Sequence, residues 1–185
     1  MEVIMIRHGE PDYTQTDSRG FVGQGRDMAP LTEFGVQQAE TAAEDPRLNG
    51  IELILSSPYT RALQTAAIIS RKTGIPLTVE VDLHELICDK TFQLGGAENI
   101  SAQFRAFIQA KGICPPDEEC PWETIDEIAA RAKAVLDRYA AQGYRKIAVV
   151  AHGGVIRRFT GIAEITHCSL SVVDYHSDFT CFGWV

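Results

Sequence analysis

His8 is followed by Gly9, and His152 by Gly153-Gly154. Each histidine closes a short apolar run: Val3-Ile4-Met5-Ile6 leads through Arg7 into the first, and Ile147 to Ala151 leads into the second. A third run, Ile51 to Leu55, leads into Ser56-Ser57-Pro58-Tyr59-Thr60-Arg61. Imidazole can act as nucleophile or proton carrier near neutral pH. A guanidinium fork matches the oxygens of a phosphate, and glycine lets backbone amides approach a ligand closely. If the three run ends are neighbours, His8, His152, Arg7 and Arg61 converge on one spot, and that set suits one phosphoryl group. Taken singly, each has a plain structural reading: a hydrogen-bonded histidine, an ion-paired helix arginine, a His-Gly-Gly turn. Their joint occurrence at corresponding ends of separate runs is what points to chemistry.

The elements that must position these groups follow from periodicity. The three runs are apolar throughout, as in strands buried on both faces of a sheet, and Leu77-Thr78-Val79 is a further strand. Helices are predicted over Thr32 to Ala43, Pro58 to Thr73, Ile125 to Ala141 and Val155 to Ile162. Pro58 suits a first turn, Gly74 a stop, and Thr124 with Glu127 a capping box. Alternating strands and helices predict an α/β fold, a three-layer α/β/α sandwich with a mostly parallel central sheet. Such sheets bind ligands where strands end and helices begin. The chain reads as a single domain over residues 1–185. A cap insertion is expected at about 84–120, with one helix from Ile100 to Ala110, and a pair of edge strands is expected within 167–185.

The 185 residues are 45% hydrophobic and 23% charged, with a net charge of −8. That length supports a full core without staples. An acidic surface without a basic stripe argues against nucleic acid and anionic membranes as partners. It also means that positive charge for a phosphate must be concentrated in a few side chains. The five cysteines, Cys88, Cys114, Cys120, Cys168 and Cys181, are odd in number and form no CxxC pair. They are expected to be ordinary thiols, with neither a disulfide framework nor a zinc site. No signal peptide or membrane span is evident, so a soluble, cytoplasmic location is expected.

Arg7-His8-Gly9-Glu10 resembles the RHG signature of the histidine phosphatase superfamily, the phosphoglycerate mutase-like family, branch 1. The likeness continues through Phe21-x-Gly23, Pro30-Leu31-Thr32-x-x-Gly35-x-x-Gln38-Ala39, Ser56-Ser57-Pro58-x-x-Arg61-Ala62-x-Gln64-Thr65-Ala66 and Ala151-His152-Gly153-Gly154. These blocks stand in the family's order and span roughly residues 3–160.

The resemblance implies a phosphoric monoester hydrolase acting on a small phosphorylated substrate with no cofactor and no metal. His8, neutral and held in one tautomer, would attack phosphorus and become a phosphohistidine. Arg7 and Arg61 would hold the non-bridging oxygens, and His152, protonated, would stabilise the spreading charge. Water would then hydrolyse the phosphoenzyme. Glu85, in Asp82-Leu83-His84-Glu85-Leu86, matches the family's general acid, with a pKa that a nearby phosphate dianion would raise. Asp82, His84 and Asp89 are its competitors. Gly23 and Glu10 are further substrate-binding candidates. Where many relatives carry an aromatic-Asn pair, this chain has Tyr13-Thr14, which leaves Thr14 as the candidate phosphate contact.

The segment after Glu85 departs from the family pattern and bears on specificity. Mutases of the family enclose substrate with a long basic segment, whereas residues 85–120 hold only Lys90, Arg105 and Lys111. A phosphatase is therefore favoured over a phosphoglycerate-type mutase. A phosphohistidine protein phosphatase and a phosphate-binding pseudoenzyme are the remaining alternatives; retention of both histidines and both arginines argues against the pseudoenzyme. Phe92, Phe104, Phe107 and Trp122 suit either a cap core or a pocket for an apolar leaving group, and helical spacing favours the core.

Overall fold

The apolar runs become strands of one five-stranded sheet. The structure is a computed structural model describing residues 1–93 and 95–185. Its strands are β1 (Glu2–Arg7), β2 (Leu53–Ser56), β3 (Leu77–Val79), β4 (Lys146–Ala151) and β5 (Leu170–Asp174). Their order is β3-β2-β4-β1-β5; the first four are parallel, and β5 runs antiparallel to β1 at the edge.

Successive strand residues point to opposite faces, and here both faces are covered. On one face Val3, Met5, Leu55 and Val149 meet α5 (Ile125–Ala141) and α6 (Gly153–Thr160) through Ile128, Val135, Ile156 and Phe159. On the other, Ile4, Ile6, Ile54 and Val150 meet α2 (Glu33–Ala42) and α3 (Thr60–Thr73) through Ala39, Ala62, Ala66 and Ile69. Double burial explains why these strands read as continuous apolar runs rather than alternating ones. The result is the mixed α/β architecture with a mostly parallel central sheet.

Helix ends follow their chemistry. Thr32 caps α2 by accepting from the Gly35 N–H at 2.9 Å. The capping box of α5 is complete, Thr124 accepting from the Glu127 amide and Glu127 from the Thr124 amide. Gly74 ends α3 at φ 74°, a left-handed turn that a side chain would strain. Four elements lie where no sequence expectation stood: α1 (Thr14–Ser18) and 3-10 segments over Gly23–Met28, Pro46–Leu48 and Val81–Leu83.

Three expectations are corrected. The helix within 84–120 is α4 (Ala97–Gln109), which begins just past Gly95-Gly96 rather than at Ile100. Phe107 packs with Cys120, Trp122 and Ile125 in a small cluster separate from the two main ones. Cys114 and Cys120 form a disulfide, because the turn between α4 and α5 folds back and brings their Cα atoms to 5.8 Å. Counting cysteines overlooked this local pair, and Cys88, Cys168 and Cys181 remain free thiols. The expected pair of edge strands in 167–185 reduces to β5. After it, the Phe182 amide donates to the Arg158 carbonyl at 2.8 Å and Trp184 lies edge-on to Phe107, so side-chain packing replaces strand pairing. Among the described residues, no helix is long and apolar enough to cross a membrane.

Candidate active site

Sheet register places the two histidines side by side. Arg7 of β1 stands opposite Ala151 of β4, and Ser56 of β2 opposite Val150. One further bond extends each ladder: the His8 amide donates to the Ala151 carbonyl at 3.1 Å and the Ser57 amide to the Val150 carbonyl at 3.0 Å. His8, Ser57 and His152 therefore leave the sheet at the same level, with the two imidazole centroids 5.1 Å apart. Both histidines are buried.

The His8 ring has a partner on each nitrogen. Nδ1 lies 2.7 Å from the Gly9 carbonyl, an acceptor, so Nδ1 carries the proton. Nε2 then has its lone pair free and accepts from Arg61 Nε–H at 3.3 Å. Burial pushes the His8 pKa down to about 3. The Gly9 carbonyl opposes that shift, and the charges of Arg61 and Arg7 reinforce it. The imidazole is neutral.

Arg61 sits in the first turn of α3, buried, with Tyr59 ahead of it and its guanidinium 5.3 Å from that ring. Its Nη1 donates to Asp27 at 2.8 Å. Burial raises the Asp27 pKa against the pull of the Arg61 charge. Thr65, one turn on, accepts from the Gly9 amide at 3.0 Å and so fixes the turn after His8 to the same helix. Arg7 donates from Nη1 to the Ile165 carbonyl. Burial lowers its pKa, and the Glu85 charge is the main opposing influence.

His152 Nε2 lies 2.7 Å from Ser57 Oγ, and Nδ1 has no protein partner among the described residues. The expectation of a protonated His152 is corrected for the protein by itself: complete burial, then the Arg61 charge, drive its pKa well below the usual value.

Glu85 accepts from its neighbour Leu86 at 2.9 Å and from the Gly154 amide at 3.3 Å, which sets its carboxylate at the positive N-terminal end of α6. A Cβ on Gly154 would collide with that carboxylate, so the second glycine of His-Gly-Gly makes room for Glu85. Two of the competing groups have local partners. His84 Nδ1 lies 2.7 Å from the Glu85 carbonyl, and Asp89 accepts from the amide and hydroxyl of Thr91.

The remaining candidates divide. Thr14 is exposed at the start of α1, and its amide donates to Asp12 at 2.9 Å. Glu10 accepts from the Thr32 hydroxyl at 2.8 Å, and its amide donates to Gln38, tying β1 to the cap of α2. Gly23 opens the 3-10 segment at φ 53° and lines a hollow of about 140 Å³ beside Asp27 and Tyr13. The sequence reading missed Asp27, Ser57 as the partner of His152, and His167, whose ring centroid is 5.5 Å from that of His8. Asp27 lies four residues past Gly23, outside the Phe21-x-Gly23 block, so the motif carried no signal for it. His167 carried none, because only the fold brings residues 165–168 back against Arg7.

The sequence matches the histidine phosphatase superfamily (branch 1) over residues 3–180. A probable phosphoglycerate mutase GpmB from Photorhabdus laumondii is 29% identical over 200 residues, covering 100% of this chain and 90% of the relative. The mycobacterial glucosyl-3-phosphoglycerate phosphatase in complex with VO3 superposes with a TM-score of 0.72 at 22% identity, covering 100% and 97% of the two chains. The α-ribazole phosphatase from Shigella flexneri gives 0.69 at 22% identity, covering 100% and 96%. At those identities the two structures speak for the fold. With a match across nearly its whole length, the chain belongs to the histidine phosphatase superfamily, branch 1.

Proposed function

We propose that the chain hydrolyses phosphomonoesters through a phosphohistidine on His8. The observation that carries this reading is the His8 ring itself: a neutral imidazole with Nδ1–H tied to the Gly9 carbonyl and the Nε2 lone pair facing Arg61. Nε2 attacks phosphorus as the bond to the ester oxygen breaks, and Glu85 gives the departing oxygen its proton. Arg61 and Arg7 hold the non-bridging oxygens, and Nδ1 of His152, free of protein partners, is the nitrogen left to face them. An arriving phosphate dianion raises the His152 pKa, because an opposite charge favours the protonated ring. The Glu85 carboxylate next takes a proton from water, whose oxygen displaces His8 from phosphorus and releases inorganic phosphate. Charge neutralisation comes from the side chains, so activity is expected to survive a chelator.

Hydrolysis is preferred to transfer because the 85–120 segment has little free positive charge to retain an intermediate. Lys90 is paired with Glu127 at 3.0 Å, and Arg105 and Lys111 are exposed. The mutase name carried by the Photorhabdus relative supports a second reading, transfer of the phosphoryl group back to a sugar acid. Both are tested by incubating purified protein with 4-nitrophenyl phosphate and with a phosphorylated sugar acid, with and without chelator. Hydrolysis yields inorganic phosphate from the ester, whereas transfer yields the isomeric phosphate. His8→Ala is expected to lower turnover roughly 10⁴-fold or more, the scale of losing a nucleophile. A near wild-type rate, with acid-labile phosphoprotein still forming, would overturn the assignment.

A further inference from the structure

Beside Glu85 a cavity of about 400 Å³ opens between α4, α5 and the segment that carries Trp184. Phe104 and Ile108 of α4 line it, and these residues are 47% and 44% exposed. The expectation that Phe104 serves as cap core is therefore not met. Phe107 forms the back wall, stacked on Phe104 and edge-on to Trp184 at 5.7 Å between centroids. Ile128 of α5 and Gly154 of α6 complete the join to the active site, where Glu85 belongs to both.

Glu85, Arg157 and Arg158 bring charge to this cavity, and Arg158 Nε is buried with no hydrogen-bond partner among the described residues. Glu85 accepts two amides. Arg157 Nε donates to the Ala163 carbonyl at 2.9 Å, and Arg158 Nη1 donates to the Gly183 carbonyl. Against Phe104, Phe107, Ile108, Ile128 and Trp184 a sugar or polyol would bury hydroxyls without partners, at a cost of about 1–3 kcal/mol for each one left unpaired. An apolar or aromatic group would instead remove exposed Phe104, Ile108 and Trp184 surface from water. The size and the mainly apolar, aromatic wall with few polar groups match a small-molecule subsite.

We propose that this cavity is the leaving-group subsite, and that the preferred substrates are phosphomonoesters of apolar, aromatic-bearing alcohols rather than of sugars or polyols. This rests on the phosphomonoesterase reading, since it is Glu85 as proton donor that makes the adjoining cavity the place of the departing alcohol. Trp184 and Phe107 flank the ring of that alcohol, and Phe104 and Ile108 close over it.

The test uses two alkyl esters whose leaving alkoxides are of similar basicity, 2-(1-naphthyl)ethyl phosphate and glycerol 3-phosphate, so that intrinsic reactivity does not imitate selectivity. The full chain is expected to show a kcat/KM at least about tenfold higher for the naphthyl ester, the scale of burying a few apolar carbons. Phe104→Ala and Ile108→Asp are expected to shrink that ratio about fivefold or more, with melting temperature checked for both. Both positions are half-exposed, so two independent substitutions guard against a folding artefact. A ratio near one, or a ratio unchanged in both variants, would overturn the proposal. Binding of the matching non-hydrolysable phosphonates separates the two readings. Selective binding of the naphthyl phosphonate without turnover of either ester removes the hydrolase reading and leaves the apolar subsite standing. Turnover of both esters with equal phosphonate affinity removes the subsite and leaves the hydrolase.

Discussion

Arg61 Nε–H donates to His8 Nε2 at 3.3 Å while Nη1 of the same guanidinium holds Asp27 at 2.8 Å. One planar fork thus meets the His8 Nε2 lone pair and is itself held by a half-buried carboxylate. In the proposed mechanism the fork turns from the lone pair to the phosphoryl oxygens while Asp27 keeps its hold.

A lysine cannot make both contacts in one plane, although it keeps the charge. Arg61→Lys is therefore expected to lower kcat about 10²–10³-fold, the scale of losing an oriented donor to a transition state. Steady-state kinetics on 4-nitrophenyl phosphate checks it, and a kcat within a factor of a few of wild type would show that charge alone suffices.

Acid should destabilise the fold through the histidines. In the unfolded chain His8 takes up its proton near 6.5, whereas in the folded protein it does so only near 3. The unfolded state therefore binds more protons between those values. This histidine imposes no penalty above about 6.5, and stability is lost as pH falls toward 3. His152 acts in the same direction. Within the window each pH unit costs about 1.4 kcal/mol per such histidine. Urea unfolding at pH 6.5 and pH 5 is expected to show wild type losing about 2 kcal/mol more than His8→Asn. Equal losses in the two proteins would mean that His8 titrates normally.

Glu85→Gln keeps a hydrogen-bonding group against the Leu86 amide but cannot give up a proton. Alkyl phosphates, whose leaving oxygen needs that proton, are expected to slow about 10²–10⁴-fold, and activated aryl phosphates far less. Comparable losses on both would direct attention to Asp27, the carboxyl that burial pushes up next to Arg61.

Gly35 has no room for a methyl group: its Cβ would meet the Glu10 backbone, and Gly9 lies close on the other side, where an added Cβ would stand 2.6 Å from the Gly35 carbonyl oxygen. Gly35→Ala must push the turn after His8, at a cost of ~2 kcal/mol or more. A melting temperature lower by about 5 °C is expected for a chain of this length, together with reduced turnover. An unchanged melting temperature would show that α2 can slide away from Glu10.

The sequence by itself determined the strands β1, β2 and β4, the helices α2, α3 and α5 between them, and the four groups at the run ends. Each of those strands is buried on both faces and so leaves an unbroken apolar run, and each run stops at chemically distinctive residues. Arg7, His8, Arg61 and His152 were legible for that reason. What only the tertiary structure decided depends on contacts between residues far apart in the chain. Strand register brought His8 and His152 within 5.1 Å. The return of residues 165–168 placed His167 beside His8, and the 3-10 segment Gly23–Met28 brought its Asp27 to Arg61. The same holds for protonation: a histidine written in a sequence has its ordinary pKa, and only burial made His152 neutral in the protein alone. The apolar cavity beside Glu85 depends on where Trp184 settles against Phe107. No periodicity records that contact, because it joins a helix of the 84–120 segment to the far end of the chain.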